Sequence, residues 1–322
     1  MEHSQAGITR RNLISAGLAL PALLPFRGLA AGQANITVGI TVDTRPDWNG
    51  AQNFIRSIDE ASAVGYHWIE TFWNYVERWE SNPQALRDEL GKRSLKLETV
   101  SNGGRMRVNF IDPRERAATI EDHMKLVRFI RGFGCDHLKI NCGSRPRDAA
   151  ARAREYAKEM SVAFNELGQR ITDLGMKFGV HAHLGSPFQT KEEVDRVMDL
   201  TDPKHVYFIC DTGHTTMAGM DPVQLTRDYV ARIIEYHIKD VAPQDRGGHR
   251  GPLQEPYNTT AENRIFFELG KGGVDFPSLK KILDDHSWEG WWTVELDRTG
   301  STARQSCIIA KNYLESVIGL PV

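Results

Sequence analysis

The feature that most constrains this chain is a regular alternation of short β-like runs with amphipathic helical stretches, beginning at Ile36 and lasting to the C-terminus. Strands are expected at 36–42, 66–71, 95–101, 136–142, 177–183, 205–211, 233–240 and 291–296. Helices are expected near 51–63, 82–92, 114–132, 149–174, 190–199, 221–231, 275–285 and 302–317. Asp112-Pro113, Asp221-Pro222 and Phe276-Pro277-Ser278 open three of these, because proline loses no hydrogen bond in a first helical turn. Eight βα pairs in series predict an α/β chain folded as one (β/α)8 TIM barrel over 35–322. A doubly wound open sheet is the rival. It wants a Gly-rich turn after the first strand, which ITVDTRPDWNG does not offer.

Several strands end abruptly on metal-binding side chains. GVHAHLG ends the fifth, FICDTGH the sixth, YHIKDVA the seventh and WWTVELD the eighth. Strand alternation puts Glu235, His237 and Lys239 on one face, and His181 and His183 on another. A barrel gathers these C-terminal strand ends at one mouth, where such folds keep their chemistry. Each residue taken alone has a plainer reading. Asp211 could be an N-cap, Glu295 could pair with Arg298, and a lone histidine is more often structural. The joint occurrence on four consecutive strand ends carries the metal reading. Polar, Gly- and Pro-rich 243–274 reads as a lid or substrate wall, with a disordered insertion as an equal alternative for 243–262.

Residues 1–34 carry a different signal. Arg10 and Arg11 precede an apolar stretch from Leu13 to Leu24, followed by small residues through Ala34. This resembles a twin-arginine signal peptide, implying the Tat export machinery as partner and a periplasmic or secreted protein. The stretch is too short for a stable membrane span. A net charge of -2 argues against a nucleic-acid partner. The four cysteines are too scattered for a disulfide framework, and Cys142 and Cys210 read as small buried hydrophobes.

The phrases GVHAHLGSP, CDTGHTTMAGMDP, YHIKDVAP, LGKGGVDFP and GWWTVELD occur in that order over 177–297. On them the chain resembles the xylose isomerase-like TIM barrel superfamily, or sugar phosphate isomerase/epimerase family, with its nearest look to the inosose dehydratase branch. Ile69-Glu70-Thr71 and LKINCG extend the likeness thinly toward the N-terminus. The resemblance implies one divalent metal held by His181, Asp211, His237 and Glu295. Family epimerases carry a glutamate, also a proton-transfer base, where this chain has His181. That departure tilts the expectation toward a lyase. His214 matches the family's substrate-contacting histidine.

The resemblance further implies a small-molecule substrate: a keto-sugar, an inositol-type polyol or a glycoside. Removal of the proton beside its carbonyl would lead to isomerisation, epimerisation or β-elimination. Acid/base candidates are Glu70, His183, His214 and Lys239, and substrate-binding candidates are Lys139, Trp73 and Arg298. Trp48 and Trp79 could also stack on a sugar ring, or could simply pack under loops. Manganese is the first choice of metal, with cobalt, zinc, iron or magnesium as alternatives. Two other readings stay open: an endonuclease IV-like nuclease, and a non-catalytic periplasmic sugar-binding barrel. A homo-oligomer is possible on either view.

Overall fold

The computed structural model describes residues 32–322 apart from Asp43 and Glu255. The expected leader therefore lies, but for its last three positions, outside the described residues. Eight strands follow one another in sequence: Asn35–Thr41, Trp68–Phe72, Lys96–Ser101, His137–Asn141, Lys177–His181, Tyr207–Asp211, Ile233–Ile238 and Glu289–Val294. Below they are the first to eighth barrel strands. Each paired ladder is parallel. In space the order is third, second, first, eighth, seventh, sixth, fifth, fourth, so the third and fourth strands close the barrel.

That closure is made by side chains. Thr99 Oγ1 donates to the His137 carbonyl at 3.0 Å. Asn102 donates to the Asn141 carbonyl at 2.9 Å and accepts from the Asn141 amide at 2.8 Å.

Alternation along each strand sorts the residues. Ile69, Leu138, Ile140, Phe178, Val180, Phe208, Tyr236, Ile238 and Trp292 are buried in the apolar layer. Turned the other way are Glu70, Glu98, His137, Lys139, Glu235 and His237, all buried. The barrel axis is thus lined with paired charges, an arrangement stable only where each charge finds a partner. Amphipathic helices between the strands cover the outside, as in Arg116–Gly132 and Ala153–Thr172. Thr190 and Glu193 form a reciprocal capping box at the start of Lys191–Leu200.

Three local features were not legible from periodicity. A four-residue helix, Trp73–Val76, begins immediately after the second strand. A short helix, Thr212–Met217, begins where the sixth strand stops. The seventh strand ends at Ile238, and Asp240–Val241 pairs antiparallel with Phe266–Phe267. This two-stranded ladder folds the polar 243–274 segment back over the seventh strand. All four cysteines are buried free thiols. No helix of the described residues is long and apolar enough to cross a membrane.

Candidate active site

Parallel register brings the polar strand ends together. Asp211 lies across from His237, and His237 across from Thr293, two residues before Glu295. One donor atom each from His181, Asp211, His237 and Glu295 falls within 4.8 Å of the others, and all four residues are buried. Asp211 does two jobs with two oxygens. Its Oδ1 accepts from the His214 amide at 2.7 Å and caps the Thr212–Met217 helix, while Oδ2 lies 3.3 Å from His181 Nε2. The N-cap and ligand readings of this residue are therefore compatible.

The two imidazoles are aimed by their neighbours. His181 Nδ1–H donates to Asn141 Oδ1 at 2.7 Å, so the Nε2 lone pair faces Asp211. Burial, with Lys139 and His237 nearby, holds the His181 pKa well below the ordinary range, which keeps that lone pair free. His237 turns Nδ1 toward Glu295 Oε2 at 2.6 Å and Asp211 Oδ2 at 3.7 Å. Its Nε2 meets Glu70 Oε2 at 2.6 Å and Glu235 Oε1 at 3.1 Å. Burial opposes its protonation, but the carboxylates of Glu70, Glu295 and Glu235 outweigh this and raise its pKa. A carboxylate or amide behind each imidazole is the usual support of a metal-ligating histidine.

The donor set fits a divalent ion: two nitrogens and two carboxylates on one focus, with a field that already gathers a cation. The Lys239 ammonium sits 3.0 Å from Glu295 Oε2, 3.4 Å from Asp211 Oδ2 and 3.3 Å from Asp297 Oδ1. Burial would discharge it, yet Asp211, Asp297 and Glu295 together raise its pKa. Lys239 also lies 3.2 Å from His214 Nε2 and under the Phe266 ring. Gly213 permits this approach, since a Cβ there would stand 2.8 Å from Lys239 Cγ. His214 stacks on His183 with ring centroids 3.7 Å apart. His183 Nδ1–H donates to the Leu184 carbonyl at 2.5 Å, leaving its lone pair on Nε2. Burial and Lys239 lower the His183 pKa, so this half-buried imidazole is neutral near pH 7.

With this geometry in view, residues 58–313 match the family profile described as xylose isomerase-like TIM barrel. The chain belongs to that family. The inosose dehydratase of Clostridium perfringens (strain 13 / Type A) is 32% identical over 305 residues, covering 89% of this chain and 99% of that protein. Among solved structures, the probable 3-DHS dehydratase AsbF of Bacillus anthracis superposes with a TM-score of 0.67 at 16% identity, over 88% of this chain and 100% of that one. The IolI protein with a bound zinc atom gives 0.66 at 16% identity, over 88% and 98%. At such identities the two structures speak for the shared fold.

Against this family frame, the other expected site residues are placed as follows. Glu70 is held by Lys139 Nζ at 2.8 Å, by His237 and by Thr41, on the far edge of His237 from Asp211 and Glu295. In that position it supports His237. Lys139 is fully buried in that same pair and does not reach out to a substrate. Trp73 is turned outward, edge-on to Phe129 at 5.2 Å, because alternation after the second strand gives the inward position to Phe72. Phe72 takes the inward place, its ring 5.2 Å from Lys139 Nζ. Trp48 is buried and donates to Glu60, and Trp79 packs on Phe54, so both are structural.

Arg298 Nε donates to the Asn258 carbonyl at 3.1 Å and pins the long loop; Glu295 turns to His237 and Lys239 instead. Asp240, the residue after Lys239, is held by backbone amides. Its carboxylate accepts from the amides of Val241, Gly270, Gly272 and Val274. The sequence reading missed Asn141 and Asp297 altogether. Asn141 had a usable signal, since it follows Lys139 at the end of an apolar strand, as Asp211 does in the sixth.

Proposed function

We propose that this chain is a divalent-metal-dependent carbohydrate lyase that removes water from a keto-polyol of the inosose class. The observation that carries the reading is the convergence of His181, Asp211, His237 and Glu295, with a neutral imidazole and a buried ammonium beside them. Full-length similarity to an inosose dehydratase supports the substrate class. A bound divalent ion would chelate adjacent substrate oxygens and polarise the carbonyl, which acidifies the neighbouring C–H. His183 Nε2 takes that proton, since its lone pair is free and its ring is the partly exposed member of the stacked pair. The Lys239 ammonium offers positive charge to the developing oxyanion. The His183 imidazolium then gives its proton to the β-hydroxyl, so that the C–O bond breaks as the C=C bond forms and water leaves. Burial holds His183 and Lys239 at their stations, and the 243–274 segment limits water at the mouth.

Manganese is the metal to try first, with zinc and cobalt as close alternatives for a mixed nitrogen and carboxylate set. The test is incubation of metal-loaded protein with inosose in deuterated water. An unsaturated product lighter than substrate by one water supports the lyase. Deuterated substrate with no elimination would replace it with an isomerase or epimerase. We also propose export through the twin-arginine route, on the strength of Arg10 and Arg11 ahead of the apolar stretch. Cell fractionation checks this: replacing both arginines with lysine should leave the protein in the cytoplasm.

A further inference from the structure

Deeper along the barrel axis, toward the N-terminal ends of the strands, lies a second set of donors that shares no residue with the first. Glu98, His137 and Glu235 each present one ligand atom within 4.8 Å of the others, and all three are buried. Glu98 Oε1 accepts from Thr293 Oγ1 at 2.5 Å, but Glu98 Oε2 has no hydrogen-bond partner although the residue is 0% exposed. A buried carboxylate oxygen left unpaired costs free energy unless a proton, water or ion attends it. Gly39, on the first strand, makes the room: a Cβ there would overlap Glu98 Oε2.

His137 is arranged as metal-ligating histidines are. Its Nδ1–H meets Asp136 Oδ1 at 2.7 Å, which turns Nε2 inward toward Glu235 Oε2 at 2.9 Å. The other oxygen of Glu235, Oε1, lies 3.1 Å from His237 Nε2 but makes no hydrogen bond, a second unpaired carboxylate oxygen in the cluster. A cavity of about 130 Å³, lined by Thr37, Asp136, His137, Lys177, Glu289 and Trp291 among others, reaches His137 from the N-terminal face.

We infer that Glu98, His137 and Glu235 form a second, structural divalent-cation site inside the barrel. Two carboxylates and one imidazole neutralise a dication and suit zinc, cobalt or manganese. Its purpose follows from its position. Glu98 is on the third strand and His137 on the fourth, the pair at which the backbone ladder is not continued. An ion there would clamp the seam, with Glu235 of the seventh strand as the anchor across the barrel.

The test uses the full chain, stripped with chelator, reloaded with cobalt(II) and desalted before metal analysis. Wild type should retain two cobalt ions per chain. His181→Ala should retain one, and cobalt should still raise its melting temperature. Glu98→Gln and, independently, His137→Gln should each fall from two to one. The readout does not depend on the proposed reaction, since the lower ion is counted in a chain whose upper site is broken. A His181→Ala chain that retains no ion would overturn the inference, whatever wild type holds. So would two ions that stay two in whichever of the Glu98 and His137 variants folds.

Discussion

Asn141 shows how one side chain sets the quality of the whole site. Its amide oxygen fixes the His181 tautomer, its backbone amide is held by Asn102, and Asn102 contacts His123 Nε2 at 2.9 Å. His123 Nδ1–H in turn donates to the Thr119 carbonyl at 2.7 Å, so a helix is linked to a metal-ligand candidate through His123, Asn102 and Asn141. Asn141→Ala should weaken divalent-metal affinity by about 10- to 100-fold while leaving the fold intact. Competition with a chromophoric chelator measures it, and unchanged affinity would remove Asn141 from the support of His181.

His123 supplies a pH prediction. Burial lowers its pKa from 6.5 to about 4, and both of its hydrogen bonds require the neutral ring. The unfolded chain binds that proton more readily. The stability contribution is therefore present above pH 6.5 and lost as pH falls toward 4, amounting to about 3 kcal/mol. Denaturant unfolding of wild type and His123→Gln across this window should show a shallower pH slope in the variant. Parallel slopes would contradict the assignment.

At the scale of elements, the parts visible in sequence were those with a long period or a terminal signal. The helix expected at 190–199 is found at Lys191–Leu200, and that at 275–285 at Phe276–Asp285, because Thr190 and Asp275 cap them. The strand expected at 233–240 was overrun. Ile238 ends it, and the next residues switch to pairing with Phe266–Phe267, a partner too short and too distant to leave a periodic trace.

The LGKGGVDFP phrase was legible as part of the family resemblance but not as the cradle of Asp240. Four backbone amides converge on that carboxylate, and Gly272 must lack a side chain because a Cβ would run into the Val241 carbonyl. Gly272→Ala should destabilise the chain by about 1–3 kcal/mol and lower turnover, since the same loop backs the wall above Lys239. Thermal unfolding and steady-state rates check both. A variant as stable as wild type would show that the loop tolerates displacement.

Residues 32–322 form a barrel whose axis is lined with ionic pairs, and those pairings were not legible in the sequence. The sequence suggests Glu70 as an acid/base group and Lys139 as a substrate-binding group, since a charge within an apolar strand usually faces a site or solvent. Here they face each other across the axis at 2.8 Å, and only the closed barrel shows it. The strand-end histidines and acids were legible because their chemistry is local, whereas Glu70, which supports His237, comes from a strand far away in sequence.

Such an interior also ties stability to the cation. The carboxylates of Asp211 and Glu295 repel one another unless His237, Lys239 or a metal lies between them. Chelator treatment should lower the melting temperature as well as abolish turnover. An unchanged melting temperature would confine the ion to catalysis.

The most direct measurement is an anomalous difference map from crystals of manganese-loaded protein. A strong peak bonded to His181 Nε2, Asp211, His237 Nδ1 and Glu295 is the predicted result, separate from any peak among Glu98, His137 and Glu235. An active, metal-loaded crystal with no peak among those four side chains would contradict it.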